Sequence, residues 1–364
     1  MRRGQHLTLL LAALGGAIIA TGRNAWGHGG VEEEERPSAE PNAPRSAGEP
    51  SRRSPPGRAS FNAGTPPGTD VLPIETEALA ADGASALIDL DLVLGWGSVP
   101  FAFQNLPTTG TTSITYARRD GVDANVQSLV VAGSVELFAH LSAGVRLPLA
   151  FAEFFPDGSL SRGTASLGNI ELAADYASVV ARRLRLVTSL AATLPTLQGT
   201  EIPADLDRIP AASVDAAAYD RDSLARAASA ARGYEDNALF APNRLGVVPK
   251  LTLAYDAYPF RVEPYVKVEN LFLTSSSPAP SYLGDVVGGL AAGYWIERQF
   301  DVGLRGWCNV PYAGADKRVA ISVEGSVLAR FGPIRPYAGV IVPVAGPPSA
   351  NGFLGVRLGV ASVW

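Results

Sequence analysis

Beyond residue 84, apolar and polar positions alternate along the chain with a period of two. The segment 261–270 shows this pattern most clearly: Val262 and Val266 belong to one set of positions, and Glu263 and Lys267 to the other. A helix would scatter these charges around its circumference, whereas a strand puts them all on one side. The alternation therefore predicts β-strands that have one apolar face and one polar face.

The alternation recurs in twelve segments, each longer than the roughly five or six residues of a typical globular strand. They lie at 84–97, 125–138, 140–153, 165–177, 182–195, 243–256, 259–272, 284–296, 298–310, 317–331, 334–344 and 352–364. A strand that crosses a membrane needs about 9–11 residues, so each segment is long enough to do so. Thr111 to Arg118 is also strand-like, and we assign it to a hairpin within a loop. Twelve strands are therefore expected, with fourteen as the alternative.

The connections between these segments alternate in length. Short ones lie at 139–140, 178–181, 257–258, around 298 and at 332–333, and longer ones at 98–124, 154–164, 196–242, 273–283, 311–316 and 345–351. Outer-membrane barrels combine short periplasmic turns with longer extracellular loops, an outward apolar band and a polar interior. We therefore predict an all-β fold for residues 84–364, a transmembrane antiparallel up-and-down β-barrel of about twelve strands. In this prediction, 196–242 is a long extracellular loop.

The last predicted strand ends on an aromatic residue. Trp364, Val360, Leu358 and Val356 share its apolar face. This arrangement resembles the C-terminal signature by which bacterial outer-membrane barrels are recognised for assembly. The resemblance implies the barrel-assembly machinery as a partner. Outer-membrane lipid and lipopolysaccharide are then expected around the barrel, which we expect to be a monomer.

The first 83 residues differ in composition from the barrel segment. Arg2 and Arg3 precede an apolar run from Leu7 to Ala20, which is short for a membrane span and typical of a secretory signal peptide. Residues 28–83 are dominated by Pro, Glu, Ser, Arg and Gly and cannot bury enough apolar surface to offset the entropy of ordering. We predict a cleaved signal peptide at 1–27, a disordered periplasmic tether at 28–83, and export to the bacterial outer membrane.

Composition argues against several classes of function. The 364 residues carry 30 Lys and Arg against 35 Asp and Glu, a net charge of −5, which argues against nucleic-acid binding. A single cysteine, Cys308, cannot form an intramolecular disulfide or a cysteine-based zinc site. Beyond the predicted signal peptide the only histidines are His28, in the tether, and His140, in a short turn. Neither lies where outer-membrane lipases or proteases place a catalytic histidine, so we expect no enzymatic activity, no cofactor and no metal.

A glycine- and leucine-rich hairpin pattern spans LGNIELAADY at 167–176 and Leu190 to Pro195. It resembles the LGD-x-x-LGAKY … LxLPTG hairpin of outer-membrane transporters of the phenol (meta-pathway) degradation type, and comparable barrels occur as modules of large myxobacterial outer-membrane proteins. The chain departs from that pattern at Asn169, where the family has Asp, and at Leu197, where it has Gly. The resemblance covers residues 125–195 and implies a transporter-like barrel without implying a substrate.

Charged residues on the polar strand faces are expected to point into the barrel lumen. Seven are candidates for the lining of a solute path: Arg146, Glu171, Arg185, Lys267, Glu269, Arg305 and Glu324. Twelve strands fall between the eight that side chains fill and the 16–18 that leave an open channel. We expect a passive channel or transporter for small solutes; the alternative is a closed barrel that acts as a structural anchor or interaction module. Continuous salt bridges across the lumen would favour the alternative.

The long loop contains one predicted helix. Ala211 through Arg232 is alanine-rich, follows Pro210 and precedes Gly233, a typical helix stop. Two placements are open: the helix folds over or into the mouth of the barrel and gates it, or it lies on the extracellular rim as a cap.

Overall fold

The computed structural model describes residues 86–105, 115–138, 140–155, 161–199, 208–210, 216–276, 279–297, 299–314, 319–350 and 352–364. The predicted signal peptide and tether lie outside these residues, so their assignment stays a prediction. Among the described residues, no helix is both long and apolar enough to cross a membrane.

Antiparallel strands make up most of the described chain. They are β1 (Ala86–Asn105), β2 (Thr115–Phe138), β3 (Leu141–Phe155), β4 (Arg162–Leu167), β5 (Ile170–Ala181), β6 (Leu184–Leu194), β7 (Arg208–Pro210), β8 (Arg244–Ala257), β9 (Phe260–Leu273), β10 (Tyr282–Glu297), β11 (Phe300–Ala313), β12 (Ala320–Ala329), β13 (Ile334–Ala345) and β14 (Leu354–Val363). Two α-helices, α1 (Ala216–Ala231) and α2 (Pro347–Ala350), and a 3-10 helix at Asn237–Phe240 lie between strands.

The sheet closes on itself as a barrel of twelve strands. Each strand pairs with its neighbours in order, and β1 pairs with β14 from Leu87↔Val363 to Trp96↔Leu354. Both β4 and β5 pair with β3 and together form one interrupted strand, whereas β7 pairs only with the start of β2. Closure leaves the long strands without free edges. The predicted fold, a closed twelve-strand antiparallel barrel, is confirmed.

The first predicted loop, 98–124, is largely strand, so its bounds are wrong, whereas the hairpin expected within it is present, with Thr115 to Arg118 paired to β1. β1 continues to Asn105 and β2 begins at Thr115, and the two strands stay paired throughout. The pairing of β3 with β2 ends at Asp123↔Phe155, so this hairpin projects beyond the neighbouring strand. Residues on the outward face near this point, Asn125 and Gln127, are polar and exposed. Because the projecting part has no lipid to face, it lacks the apolar alternation by which the other strands are predicted.

The outer surface carries an apolar band between two rings of exposed aromatic residues. We call the barrel end where β2 meets β3 the short-turn end, and the end where residues 195–243 join β6 to β8 the long-loop end. The short-turn ring contains Phe138, Tyr255, Tyr258, Phe260, Tyr294, Phe300, Phe331 and Trp364, and the long-loop ring Trp96, Phe151, Phe272 and Tyr312.

The spacing of these rings matches a bilayer. Phe260 and Phe272 lie twelve positions apart on β9. At about 3.3 Å per residue and a strand tilt of about 40°, they are roughly 30 Å apart along the barrel axis. Exposed aliphatic residues such as Leu190 and Leu251 fill the band between them. The outward face is therefore that of a membrane-spanning barrel.

Candidate functional site in the barrel lumen

The long loop folds back into the barrel as a plug. We define the plug as residues 216–240, which comprise α1, the turn at 232–236 and the 3-10 helix. From Asp222 to Ala231 every residue of α1 is buried except Arg226. The helix therefore lies inside the mouth of the barrel, which is one of the two placements open from the sequence, and the rim-cap alternative does not describe it.

The apolar face of α1 packs on an apolar part of the lumen wall. Leu224, Ala227, Ala228 and Ala231 belong to one buried cluster with wall residues of β1 to β3, among them Val93, Val126, Val130, Ala152 and Phe154. Deeper in the barrel, towards the short-turn end, the wall becomes polar and charged. The plug thus meets apolar wall along its helix and charged wall at its tip, the turn at 232–236.

Two glycines that face each other across the β1–β14 pair make room for the helix. Gly95 pairs with Gly355 in the sheet register. A Cβ atom at Gly95 would overlap the Cβ of Ala231, and one at Gly355 would overlap the carbonyl oxygen of the same residue. The end of α1 therefore sits against bare backbone, and a larger side chain at either glycine would have to displace it.

Arg232, at the plug tip, forms an ion pair with the wall and is fully buried. Its Nη1 atom lies 2.7 Å from Oδ2 of Asp91, and its Nε donates a 2.8 Å hydrogen bond to Oγ of Ser128. Its Nη2 also donates to the carbonyl oxygens of Asp91 and Ser128, at 3.2 and 3.4 Å. One guanidinium group therefore ties the plug to both β1 and β2.

From Asp91 a chain of alternating charges runs along the lumen wall, from β1 through β14 and β12 to β11, and returns to the plug. Its successive contacts are Asp91 Oδ1 to Arg357 Nε at 3.3 Å, Arg357 Nη1 to Glu324 Oε2 at 2.8 Å, Glu324 Oε2 to Arg305 Nη2 at 2.6 Å, and Arg305 Nη1 to Glu235 Oε1 at 2.6 Å. Tyr265 donates a further 2.8 Å hydrogen bond to Glu235 Oε1. The chain therefore begins and ends on plug residues, Arg232 and Glu235.

Asp236 forms a second set of ion pairs on the other side of the tip. Its carboxylate lies 3.4 Å from Nη2 of Arg146 and 3.7 Å from Nζ of Lys267. These two cations also contact Glu171 and Glu269, respectively, each at 3.2 Å. Burial raises the pKa of Asp236, but Arg146, Lys267 and Arg232 outweigh burial and hold that pKa well below its usual range.

Neutral hydrogen bonds hold the backbone of the turn. Gly233 has a φ of 64°, and its carbonyl oxygen accepts bonds from Trp307 Nε1 at 2.9 Å and Ser322 Oγ at 3.2 Å. Asn309 Nδ2 donates to the carbonyl oxygen of Tyr234 at 3.1 Å. The guanidinium of Arg305 also lies 4.6 Å from the centre of the Trp307 ring. The wall of β11 and β12 therefore recognises the turn by its backbone as well as by its charges.

The other end of the plug is held at the interruption between β4 and β5. Asn169 is fully buried, and its Nδ2 donates to the carbonyl oxygens of Ala238 at 2.9 Å and Ala241 at 2.6 Å. Its Oδ1 accepts from the backbone N–H of Leu197 at 3.1 Å, and its own N–H donates to Leu239 at 2.7 Å. Asn169 is one of the two departures from the resembled family pattern. An aspartate there could not donate the two Nδ2 bonds.

The structure brings six of the seven predicted lumen residues together around the plug tip. Arg146, Glu171, Lys267, Glu269, Arg305 and Glu324 all lie in the two sets of ion pairs described above. Arg185 lies apart, towards the short-turn end, where its Nη2 is 2.6 Å from Oδ2 of Asp256. Whether any of them lines a solute path stays a prediction.

Sequence reasoning does not select the plug tip as part of this site. Arg232, Glu235 and Asp236 follow the helix and carry no strand alternation, so period-two analysis cannot assign them to the lumen. The sequence feature that could have pointed to them is the group of three charged residues around Gly233, where the predicted helix stops. Among the described residues, no group of three or more His, Cys, Asp or Glu side chains is placed to hold a metal ion.

Closed strand pairing, an outward apolar band and a charged lumen together define a β-barrel of the bacterial outer-membrane type, here with a plug formed by one of its own loops. Several solved structures are similar to it. The β-domain of the Bordetella autotransporter BrkA shares 12% sequence identity with a TM-score of 0.43, over 77% of this chain and 100% of that chain. The translocator domain of the autotransporter NalP from Neisseria meningitidis shares 10% at a TM-score of 0.40, over 79% and 92%.

The Ralstonia pickettii toluene transporter TbuX shares 11% identity at a TM-score of 0.35, over 82% of this chain and 97% of that chain. No protein-family model and no curated protein matches the sequence.

Proposed function

We propose that the chain is a gated outer-membrane channel for small solutes and that the plug is its gate. The observation that carries this proposal is the charge at the plug tip: Arg232, Glu235 and Asp236 each meet lumen groups of opposite charge. Buried ion pairs lose much of their attraction to desolvation and are often no more stabilising than well-packed apolar residues. A permanently closed barrel would not require such pairs. A plug that moves out of the lumen places its tip in water, where charged side chains are well solvated.

Charged residues beyond the plug support a hydrated route to the short-turn end. Asp89, Arg261, Asp301 and Arg335 are buried on the inner faces of four different strands there. Ionisable groups inside membrane proteins typically line the routes of ions and polar solutes. With the plug withdrawn, the lumen would present charge along this stretch.

The second candidate function is a closed barrel that serves as an anchor or interaction module. The observation that favours it is the continuous chain of ion pairs from Arg232 to Glu235, which joins the plug to β1, β14, β12 and β11. In that case the charges would fix one closed state and no solute would pass.

Removal of the plug has a different expected effect under each candidate function. We would delete residues 205–236, refold the full-length and deleted chains, and compare their single-channel currents in planar bilayers. A gated channel predicts rare or small openings for the full-length chain and frequent, larger openings for the deletion. Heat-dependent migration on gels serves as the control that both barrels are folded.

A folded deletion that conducts no better than the full-length barrel would contradict the gate. That result would instead support the anchor, because the lumen would then stay closed even without the plug and could not serve as a solute route.

A further inference from the structure

The lumen groups that hold the plug tip are arranged to bind carboxylates. We propose that the plug tip occupies a solute-binding site, and that small mono- and dicarboxylates are the solutes that take its place when the plug withdraws. This inference rests on the proposed function, because it assigns a ligand class to the lumen that the plug closes.

The first carboxylate position is the one that Glu235 fills. Its Oε1 atom receives Arg305 Nη1 at 2.6 Å and Tyr265 Oη at 2.8 Å. Arg305 is held in place by Glu324 at 2.6 Å and by the face of Trp307 at 4.6 Å. Both donors come from the barrel wall, so they stay behind when the plug leaves. A guanidinium group and a phenol aimed at one oxygen are suited to a carboxylate ligand.

The second carboxylate position is the one that Asp236 fills. Arg146 Nη2 approaches it at 3.4 Å and Lys267 Nζ at 3.7 Å. The two cations come from β3 and β9 and are steadied by Glu171 and Glu269, each at 3.2 Å. Tyr265, a donor to the first position, and Lys267, a cation of the second, lie two residues apart on β9, about 7 Å along the strand. A short dicarboxylate could therefore occupy both.

The charge balance also favours an anionic solute. The plug tip brings two carboxylates and one guanidinium group to the wall, a net charge of −1. Withdrawal of the tip therefore leaves the lumen one unit more positive than when it is closed. Asp91 loses its contact with Arg232 but keeps the one with Arg357 at 3.3 Å. The cations that faced Glu235 and Asp236 each lose that plug carboxylate and keep one carboxylate of the wall.

The test uses the full chain with the tip carboxylates neutralised in place. In Glu235→Gln/Asp236→Asn the plug keeps its length and shape but no longer competes as an anion. Succinate is titrated against this variant and wild type, with Trp307 fluorescence as the signal because the ring touches Arg305. We expect succinate to bind the variant about tenfold or more tightly than wild type, since a competing closed state lowers apparent affinity.

Four controls tie the signal to the site. Succinamide, the neutral counterpart of succinate, should give no saturable change, and Trp307→Phe should remove the signal. Asp220→Asn makes the same carboxylate-to-amide change at the upper part of α1, where Asp220 faces Arg162 at 3.4 Å. This variant should bind succinate as wild type does. Adding Tyr265→Phe to the double variant should weaken succinate binding, because it removes one donor to the first position.

Fluorescence and conductance separate failure of this inference from failure of the channel. Equal responses to succinate and succinamide, or equal succinate affinity in wild type and the double variant, would overturn the carboxylate site even if removing the plug opens a pore. Selective succinate binding would uphold the carboxylate site even if no variant conducts, and only the channel proposal would then fall.

Discussion

At the scale of single residues, Arg232 makes the most contacts between the plug and the barrel wall of those described above. It is fully buried and reaches Asp91, Ser128 and Asp236 with one guanidinium group. Removing one partner of a buried ion pair leaves the other charge with less compensation at a site that water does not reach, and this is why such losses are large.

We predict that Arg232→Ala releases the plug. Truncation should cost the closed state about 3 kcal/mol, because Asp91 and Asp236 each lose a cation contact. Such a loss shifts the closed-to-open equilibrium by roughly a hundredfold, which should appear as a higher open probability in planar bilayers. Arg162→Ala serves as the control: its side chain is 40% exposed and pairs with Asp220, and exposed pairs contribute about 1 kcal/mol or less. Equal open probability in the two variants would argue against Arg232 as a latch.

A second residue-scale prediction concerns Asn169. Asn169→Asp replaces two N–H donors by a carboxylate that faces the carbonyl oxygens of Ala238 and Ala241. Unpaired buried polar groups cost about 1–3 kcal/mol each, so the plug should seat less firmly. We expect faster tryptic cleavage after Arg232, which is fully buried when the plug is seated. The same change at the exposed Asn125 should leave the cleavage rate unchanged. If Asn169→Asp is cleaved at the wild-type rate, the hydrogen bonds of the Asn169 amide do not hold the plug in place.

At the scale of elements, the strands could be predicted from sequence and the position of the helix could not. Strand alternation is imposed by two solvents, lipid outside and a polar lumen inside, so it is visible wherever both are present. β1 and β2 stay paired beyond the end of their pairing with β3, whereas the sequence predicts only a short hairpin within a loop there. An alanine-rich helix such as α1 fits a rim or a lumen equally well. The lumen has room for it because Gly95 pairs with Gly355, and this pairing depends on strand register, which composition does not reveal.

We predict that a wedge at this glycine pair expels the helix. Gly95→Val places side-chain atoms where Ala231 now lies, so α1 must shift or leave. The expected result is a larger single-channel conductance, with strand content by circular dichroism unchanged because the backbone pairing of β1 and β14 needs no side chain. Gly325→Val is the matched control, since a Cβ at Gly325 meets nothing within 4 Å. If Gly95→Val conducts as wild type does, the helix has shifted without leaving the lumen, and the prediction is wrong.

At the scale of the whole molecule, the two chain ends of the barrel meet at the short-turn end. Trp364 exchanges backbone hydrogen bonds with Ala86, at 2.9 and 3.2 Å, and the residue is two-thirds exposed. The aromatic end of the last strand is thus on the outer surface and near the seam at which the barrel closes. This placement is compatible with the assembly signal expected from the sequence, which also includes Val360, Leu358 and Val356.

We predict that Trp364→Ala impairs assembly without altering the lumen. The fraction of protein recovered folded in outer membranes of expressing cells should fall severalfold, since the aromatic terminus is the expected contact with the assembly machinery. Barrels that do insert should conduct as wild type does, because Trp364 lies outside the lumen. Tyr258→Ala removes another exposed aromatic of the same ring and should insert normally. Equal insertion of both variants would remove Trp364 from the signal.

The plug is joined to the barrel at both ends, through the chain that connects the adjacent strands β6 and β8. Because of this attachment the tip cannot diffuse away, and it meets its binding groups at an effective concentration that is typically in the millimolar range for short tethers. A free solute that competes for the same groups must therefore reach a comparable concentration or bind more tightly than the tip. Such a barrel would respond to the abundance of its solute and pass it only above a threshold.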